Sequence, residues 1–370
     1  MNRRRIACIA LCAGLIGLAQ QPLHAADNLQ QLAEVSLDNR AASQLCRELQ
    51  ASGDTELIDV LSAMKDTSAV AKNWYLSVAQ TVADRNPAES RAKLTQFLPR
   101  LSEDPTARFW AFQYITRDNE KLREQILESM LADPSMDLRF EAVKLRLGRI
   151  ENNKDLPVER QVEQCQELLS AARLPSQVQD IAKRLNDLDV EINLLEHLGF
   201  LPSWNVCASF NNVKGVGFDT AYAPEKHFAA GKLSTTGKYD GKNGQIGWQE
   251  VSTDEPDGKV DLNPIFEKEK GAVAYAATTF NAESDLDCEI RIGTPNACKV
   301  WLNGELVISR EVYHTGSQID QYRAPAKLKS GENKVLVKIC QNEQKEPWAQ
   351  DWMLQLRFTD STGLAVQPAR

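Results

Sequence analysis

Apolar residues follow two different periods along the chain, one in each half. Between Leu29 and His197 they recur at the spacing of amphipathic helices, and Pro or Gly interrupts them at short intervals. From the stretch FLPSWNVCASF onward the residues alternate, and the turns are rich in Gly, Asn and Asp. The pattern predicts a multidomain α and β chain, in which a series of short helices precedes a strand-rich domain that begins near Pro202.

The second half contains several segments with strand-like alternation. Short strands separated by turn signals are typical of an antiparallel β-sandwich, or jelly roll. We therefore predict this fold class for the C-terminal domain, with strands near 245–251, 272–281, 286–292, 298–303, 305–310, 325–328, 334–340 and 351–359.

The stretch KVWLNGELVIS contains Asn-Gly, which is the strongest short-range hairpin signal. Asn303-Gly304 suits a two-residue turn, because both turn positions need positive φ. A regular register then pairs Trp301 with Leu306 on one face and Val300 with Val307 on the other. Since both faces are apolar, we expect cover on both sides, which favours a packing role for Trp301 over a sugar-binding platform.

Two helical segments, LPRLSEDPTARFWAF and LESMLADPSMDLRFEAV, resemble each other at an offset of about thirty residues. Asp before Pro is a typical helix start, because Asp caps the helix and Pro fits its first turn. The segments resemble HEAT repeats over residues 54–150, although other helical hairpin repeats stay open. That resemblance implies a curved scaffold that binds another protein. The matched residues are Asp104-Pro105 with Asp133-Pro134, Arg108 with Arg139, and Ala111 with Ala142.

The strand-rich half shows a second resemblance. The order KVWLNGELV, a long loop, LKSGENKVLVKI and WMLQLRF resembles the galactose-binding-like β-sandwich. It is most similar to the sugar-binding domain that precedes the catalytic barrel in many β-galactosidase-like enzymes, over residues 203–362. The resemblance implies that the Asn-Gly and Gly-x-Asn turns are structural and that variable loops contact sugar, although many members of this fold bind none.

Loop aromatic residues are the candidate ligand contacts. Trp348 lies in the polar stretch NEQKEPWAQD, where an exposed indole would give an apolar platform with polar neighbours. Packing of this side chain onto the core is the favoured alternative. The stretch REVYHTGSQIDQYR could line a ligand cleft with mixed aromatic and polar groups, although an ordinary crossover loop is favoured. Its candidate residues are Tyr313, His314, Asp320 and Tyr322.

An acidic turn in STDEPDGKVDLNP is the candidate metal site. Asp254, Asp257 and Asp261 surround its glycine, and calcium prefers several oxygen ligands. A structural calcium ion is therefore one interpretation, but the positions do not match an EF-hand, and a solvated acidic turn is favoured. We predict no other cofactor.

The first residues, MNRRRIACIALCAGLIGLAQQPLHAAD, have the basic, apolar and small-residue regions of a secretory signal. We expect cleavage after Ala25 or Ala26 and a soluble protein exported to the periplasm or the exterior, without a membrane span. Loss of the three signal arginines lowers the net charge from −8 to −11, which argues against nucleic acid as a partner. The predicted layout is a signal peptide at 1–26, helical repeats at 27–201, a sandwich at 202–362 and a tail at 363–370.

Six cysteines remain after removal of the signal. An even number permits disulfides in an exported protein, but buried thiols are an equally good interpretation. They show no CxxC or Cys/His spacing of a zinc site. The six are Cys46, Cys165, Cys207, Cys288, Cys298 and Cys340.

Motifs for catalysis are missing from the sequence. It contains no GxSxG, HExxH or P-loop, and no spacing singles out two paired carboxylates. We therefore expect a non-catalytic binding or scaffold protein, whose sandwich contacts carbohydrate or a glycosylated surface and whose helical repeats contact a protein. The alternative is a structural interaction module of the cell envelope that binds no sugar, and a glycoside hydrolase ranks third.

Overall fold

The computed structural model of the protein describes residues 25–369. Residues 1–24 and residue 370 lie outside this range, and with them nearly all of the predicted signal peptide. The helices that precede the sheets end at Leu198, and the first strand begins at Ser203. The predicted combination of a helical region and an antiparallel β-sandwich is therefore confirmed in outline.

Residues 25–369 contain twelve α-helices, eleven of which precede the first strand. None of them combines the length and apolar character needed to cross a lipid bilayer. The helices are α1 (Ala25–Glu34), α2 (Asn39–Ala51), α3 (Leu57–Ser62), α4 (Ala69–Ala83), α5 (Pro87–Phe97), α6 (Pro105–Thr116), α7 (Glu120–Leu127), α8 (Met136–Asn152), α9 (Val158–Ala171), α10 (Pro175–Asn186), α11 (Leu194–Leu198) and α12 (Ala223–Ala229).

The two Asp-Pro segments begin their helices differently. Asp104 caps α6 by accepting hydrogen bonds from two N–H groups of the first turn, and the helix starts at Pro105, as predicted. The predicted start at Asp133-Pro134 is wrong by two residues, because α8 begins at Met136 with Ser135 as its N-cap. Asp133 instead accepts a hydrogen bond from Ser135 N at 2.8 Å and closes a turn before the helix.

Each predicted strand segment corresponds to a strand of the structure. Three others, at residues 203–211, 238–241 and 260–261, were not predicted. The strands are β1 (Ser203–Asn211), β2 (Lys238–Gly241), β3 (Gly244–Ser252), β4 (Val260–Asp261), β5 (Ala272–Ala282), β6 (Leu286–Gly293), β7 (Ala297–Leu302), β8 (Glu305–Arg310), β9 (Tyr322–Leu328), β10 (Gly331–Gln341) and β11 (Met353–Thr359).

These strands form two antiparallel sheets, in the orders β2-β3-β1-β5-β10-β7-β8 and β4-β11-β6-β9. The facing sides of the sheets share one apolar core, to which alternate residues of β10 and β11 contribute. The outer face of the larger sheet carries a second aromatic cluster, which includes Phe210, Tyr275 and Trp301 and is covered by Phe218 and Phe228. The packing role predicted for Trp301 is therefore confirmed.

The hairpin of β7 and β8 departs from the predicted register by one residue. Asn303-Gly304 forms the turn with positive φ, and Trp301 pairs with Leu306 as expected. Val300, however, pairs with Ile308 rather than Val307, because a β-bulge interrupts the ladder at this point. The extra residue restores the pairing of apolar side chains on the inner face.

The chain divides into two compact units, one up to Arg123 and one from Glu124 onward. In the first, successive helices pack around buried aromatic residues that include Tyr75, Phe97 and Phe112. In the second, helices α8 to α11 belong with the strands. The compact units therefore do not divide where helices give way to strands.

The six cysteines in the described range are buried free thiols. Cys298 and Cys340 lie on adjacent strands but belong to the inner core and the outer cluster, respectively. Burial raises the pKa of each thiol to about 12. They act here as small apolar side chains.

Candidate functional site

Trp348 projects from a fixed turn at one end of the sandwich. Its side chain is 62% exposed, whereas the next residue, Ala349, is fully buried. The carbonyl of Ala349 accepts a 2.7 Å hydrogen bond from Lys270 Nζ, and Gln350 Nε2 donates to the carbonyls of Lys345 and Glu346. The indole is thus held in solvent rather than packed onto the core.

The ring of His314 supports the indole from one side. The two rings are nearly perpendicular, with centroids 5.2 Å apart. His314 Nε2 is hydrogen-bonded to Asn342 Oδ1 at 2.9 Å, and its backbone N–H donates to the carbonyl of Pro295. An edge-to-face pair with one ring fixed in this way restricts the rotation of the other.

Tyr313 is the third aromatic residue of this group and extends it toward the interior of the protein. Its ring centroid lies 6.2 Å from that of His314, and its hydroxyl accepts a 3.2 Å hydrogen bond from Asn212 Nδ2. Burial raises the pKa of Tyr313 to about 12, so the phenol stays neutral. Tyr313 and His314 were predicted as ligand contacts together with Trp348, and the structure brings these three residues together.

Asn212 connects the loops that carry this group, and no pattern in the sequence singles it out. Its side chain is fully buried and also donates to the carbonyl of Gln341 and accepts from Gly217 N. A Cβ at Gly217 would lie 2.5 Å from the side chain of Val273, so only glycine fits there. The loops 211–217, 311–316 and 341–350 are therefore joined at one point.

Exposed apolar residues are concentrated on these three loops. Val213, Val216 and Val312 are between 38% and 49% exposed, in addition to Trp348. Lys214 N donates a 2.6 Å hydrogen bond to Glu343, which ties the first loop to the third. We refer to Val213, Val216, Val312, His314 and Trp348 as the Trp348 surface.

The other two predicted ligand residues lie in different surroundings. Asp320 accepts hydrogen bonds from Arg291 and Arg357 and belongs to a buried ion cluster. Tyr322 packs against the inner core, with the Arg310 guanidinium 5.8 Å from its ring centroid. Their contacts are thus with the body of the sandwich and not with Trp348.

The predicted metal residues do not form a cluster. Asp257 Oδ1 accepts a hydrogen bond from Lys259 N, and Asp261 Oδ1 accepts one from Asn263 N, so each carboxylate closes a turn of its own chain segment. Among residues 25–369 no three His, Cys, Asp or Glu side chains are arranged to hold a metal ion. Asp254 is exposed beside them.

A buried lysine fixes the segment that covers the outer face of the larger sheet. Lys338 is fully buried and donates to the carbonyls of Phe218 and Thr220 and to Glu225. Tyr275 donates to the same carboxylate at 2.9 Å. Because every acceptor belongs to one covering segment, this arrangement attaches that segment to the sheet.

Comparisons with known proteins give little further guidance. No protein-family model and no curated protein matches the chain. A solved structure similar to part of it is that of selenomethionine-labelled β-glucosidase from Kluyveromyces marxianus, at 12% identity and a TM-score of 0.26. The match covers 48% of this chain and 21% of that enzyme, so the chain spans only about a fifth of that enzyme's length.

Proposed function

We propose that this chain is an exported, non-catalytic binding protein whose sandwich contacts carbohydrate or a glycosylated surface through the Trp348 surface. The single observation that carries the proposal is the 62% exposure of an indole on a turn fixed by hydrogen bonds. Exposing a tryptophan to water is unfavourable, and a monomer gains nothing from holding it rigidly in solvent. A ligand that covers the indole accounts for both features.

A sugar ring matches the chemistry of this surface. The C–H face of a pyranose covers an indole, while its hydroxyl groups need polar neighbours at the rim. Asn342 and Gln344 provide amide groups there, and the Asn342 amide is hydrogen-bonded to both Gln344 and His314. These groups are ordered before any ligand arrives, which lowers the entropy lost on binding.

The finer fold assignments are part of the same proposal. The sandwich is assigned to the galactose-binding-like type, and the resemblance to HEAT repeats makes the helices preceding it a scaffold for a protein partner. The cap of Asp104 on α6 and the packing of successive helices support the second assignment. A structural calcium ion at Asp254, Asp257 and Asp261 gains no support, because the carboxylates of Asp257 and Asp261 accept hydrogen bonds from backbone N–H groups.

A protein ligand is the second candidate for the same surface. Val213, Val216 and Val312 add aliphatic side chains that stack poorly on a sugar but suit the apolar centre of a protein interface. This candidate corresponds to an interaction module of the cell envelope that binds no sugar. The two candidates differ in the residues that would contribute most to binding, which are Trp348 for a sugar and the three valines for a protein.

The test is a binding screen of the full chain against polysaccharides and a glycan panel, with Trp348→Ala in parallel. We expect at least one glycan to bind and the variant to lose about tenfold or more in affinity, which corresponds to about 1.4 kcal/mol. Leu306→Ala is the matched control, because Leu306 is a large side chain, 48% exposed, on strand β8. Absence of binding across the panel, or equal losses in both variants, would exclude a sugar platform.

A further inference from the structure

A cleft separate from the Trp348 surface lies between the first turn of α10 and the sandwich. This cleft has a volume of about 540 Å³, and its lining includes Ser176 from the helix and Ser317, Asp351 and Gln355 from the sandwich. It contains none of the residues of the Trp348 surface. Along the chain, however, Asp351 follows Trp348 by three residues.

The start of α10 supplies backbone N–H groups to this cleft, from Ser176 onward because Pro175 has none. The first N–H groups of a helix have no acceptor within the helix, and the N-cap residue here, Leu174, provides no side-chain acceptor. The helix has twelve residues, so its N-terminus also carries a partial positive charge. Lys259, which lines the cleft as well, adds an ammonium group.

Gln355 supplies an acceptor that no other described residue uses. Its side chain is 2% exposed, and its Oε1 is buried without a hydrogen bond within residues 25–369. Buried amide oxygens almost always have a donor, so this one is an exception that needs an explanation. Gly293 leaves room for the amide, since a Cβ there would lie 2.5 Å from Gln355 Nε2. The side chain is therefore buried beside the cleft with one polar atom unsatisfied.

Donors and acceptors that line one cleft favour groups that can both give and receive a hydrogen bond. A hydroxyl does so, whereas a carboxylate only accepts at neutral pH. Asp257 and Asp351 also line the cleft and place two carboxylates against one ammonium group, which opposes an anionic ligand. The chemistry of the lining thus selects a neutral, hydroxyl-rich ligand.

We propose that this cleft is a subsite for one neutral sugar ring, with a sugar hydroxyl donating to Gln355 and accepting from the start of α10. The inference rests on the proposed carbohydrate-binding function and extends it to a second position on the sandwich. A saccharide longer than one ring would then contact Trp348 with one unit and the cleft with another.

The test uses the variant Gln355→Met in the full chain. Methionine keeps the volume but removes the unsatisfied amide, so we expect the melting temperature to rise by about 2 °C or more. Calorimetric titration with galactose and with glucose should show binding of at least one to the wild-type chain, weakened about tenfold in the variant. A gain in stability together with a loss of binding is the signature of a ligand group rather than a structural one.

Gln161→Met is the matched control, because Gln161 is also buried but donates to the carbonyl of Leu156 and accepts from Arg184. We expect this variant to lose stability and keep its affinity for the monosaccharide. A fall in melting temperature for Gln355→Met would overturn the inference, as would unchanged affinity, or binding of inorganic phosphate in place of either sugar.

Trp348→Ala separates this inference from the proposed function. Glycan binding that depends on Trp348, without binding of a monosaccharide, overturns the cleft and leaves the platform. Monosaccharide binding that is lost in Gln355→Met, with every glycan insensitive to Trp348→Ala, supports the cleft and overturns the platform.

Discussion

Asp320 shows how one carboxylate holds two parts of the sandwich together. It lies between Arg291 and Arg357, whose side chains are 8% and 1% exposed. Burial alone would raise the pKa of Asp320, but the hydrogen bonds and charges of Arg357 and Arg291 outweigh it and hold the pKa below its usual value. Arg357 also donates to the carbonyl of Leu198, so the cluster extends to α11.

Replacement of Asp320 by Asn should destabilise the protein by about 3 kcal/mol at pH 7, because the buried Arg357 guanidinium loses its counter-charge and Arg291 keeps only that of Glu289. Asn tolerates the positive φ of this position, so the backbone is not strained. A carboxylate with a lowered folded pKa stabilises above its unfolded pKa of about 3.9, and this contribution is lost as pH falls through the folded value. The wild-type protein should therefore lose stability below pH 4 more steeply than the variant.

Urea unfolding at pH 7, pH 4 and pH 3 measures this difference. Asp287→Asn is the control, because Asp287 is 84% exposed and pairs with an exposed lysine. Parallel pH profiles for the wild-type protein and Asp320→Asn would contradict the account of the ion cluster.

Sequence reasoning could find Trp348 but not the residues that position it. A tryptophan in a polar stretch is visible from its neighbours alone. Asn212, in contrast, acts through Tyr313 and Gln341, which are more than one hundred positions away along the chain. Asp320 was selected for its nearness in sequence to Tyr313, whereas two arginines on other strands determine its place.

Among the elements, the turn of the β7–β8 hairpin is tied by hydrogen bonds to the first residues of strand β10. Asn303 Nδ2 donates to Asn333 Oδ1 at 2.8 Å, and Asn303 Oδ1 accepts from Lys334 N. The Asn333 side chain is fully buried and also donates to the carbonyls of Phe280, Lys329 and Gly331. The structural role implied for the Asn-Gly and Gly-x-Asn turns agrees with these contacts.

Asn333→Ala should therefore lower the free energy of unfolding by about 3 kcal/mol, since several buried backbone groups lose their hydrogen bonds. Chemical denaturation measures this loss, and an unchanged m-value would show that the variant differs from the wild-type protein in stability alone. Asn281→Ala offers a comparison on strand β5, where the side chain is exposed. If Asn333→Ala loses no more free energy of unfolding than Asn281→Ala, the hydrogen bonds of Asn333 contribute little to stability.

The strands that were predicted and the strands that were missed differ in which faces are buried. β10 and β11 alternate visibly, because the residue types differ between their two faces. β1 is buried on both sides, with Val206 in the inner core and Cys207 in the outer cluster, so SWNVCASFN shows no clear period. A bulge adds one residue to β8 and cannot be recognised from alternation alone.

At the scale of the whole molecule, the sandwich shares a compact unit with the last helices before it. Leu201 N donates to the carbonyl of Leu356, and Phe200 forms a β-bridge with Arg357. Ile319 packs with the apolar cluster of α8 to α11. Sequence periodicity marked the change from helix to strand, but it could not show that the helices after Glu124 pack on the strands.

We therefore expect a fragment of residues 124–369 to unfold in one cooperative transition with a melting temperature close to that of the same unit in the full chain. A fragment of residues 203–369 should be much less stable, because it exposes Arg357 and the surface that covers it. Calorimetry of the two fragments measures both. Equal melting temperatures for the two fragments would mean that α8 to α11 add nothing to the stability of the sandwich.

The most direct test of carbohydrate binding at Trp348 is the dissociation constant of the full chain for the best glycan of the panel, compared with those of Trp348→Phe and Trp348→Ala. If a sugar ring stacks on the indole, Phe should keep part of the affinity and Ala should lose about tenfold or more. If both variants bind as tightly as the wild-type chain, Trp348 is not a carbohydrate platform and the proposed function is wrong.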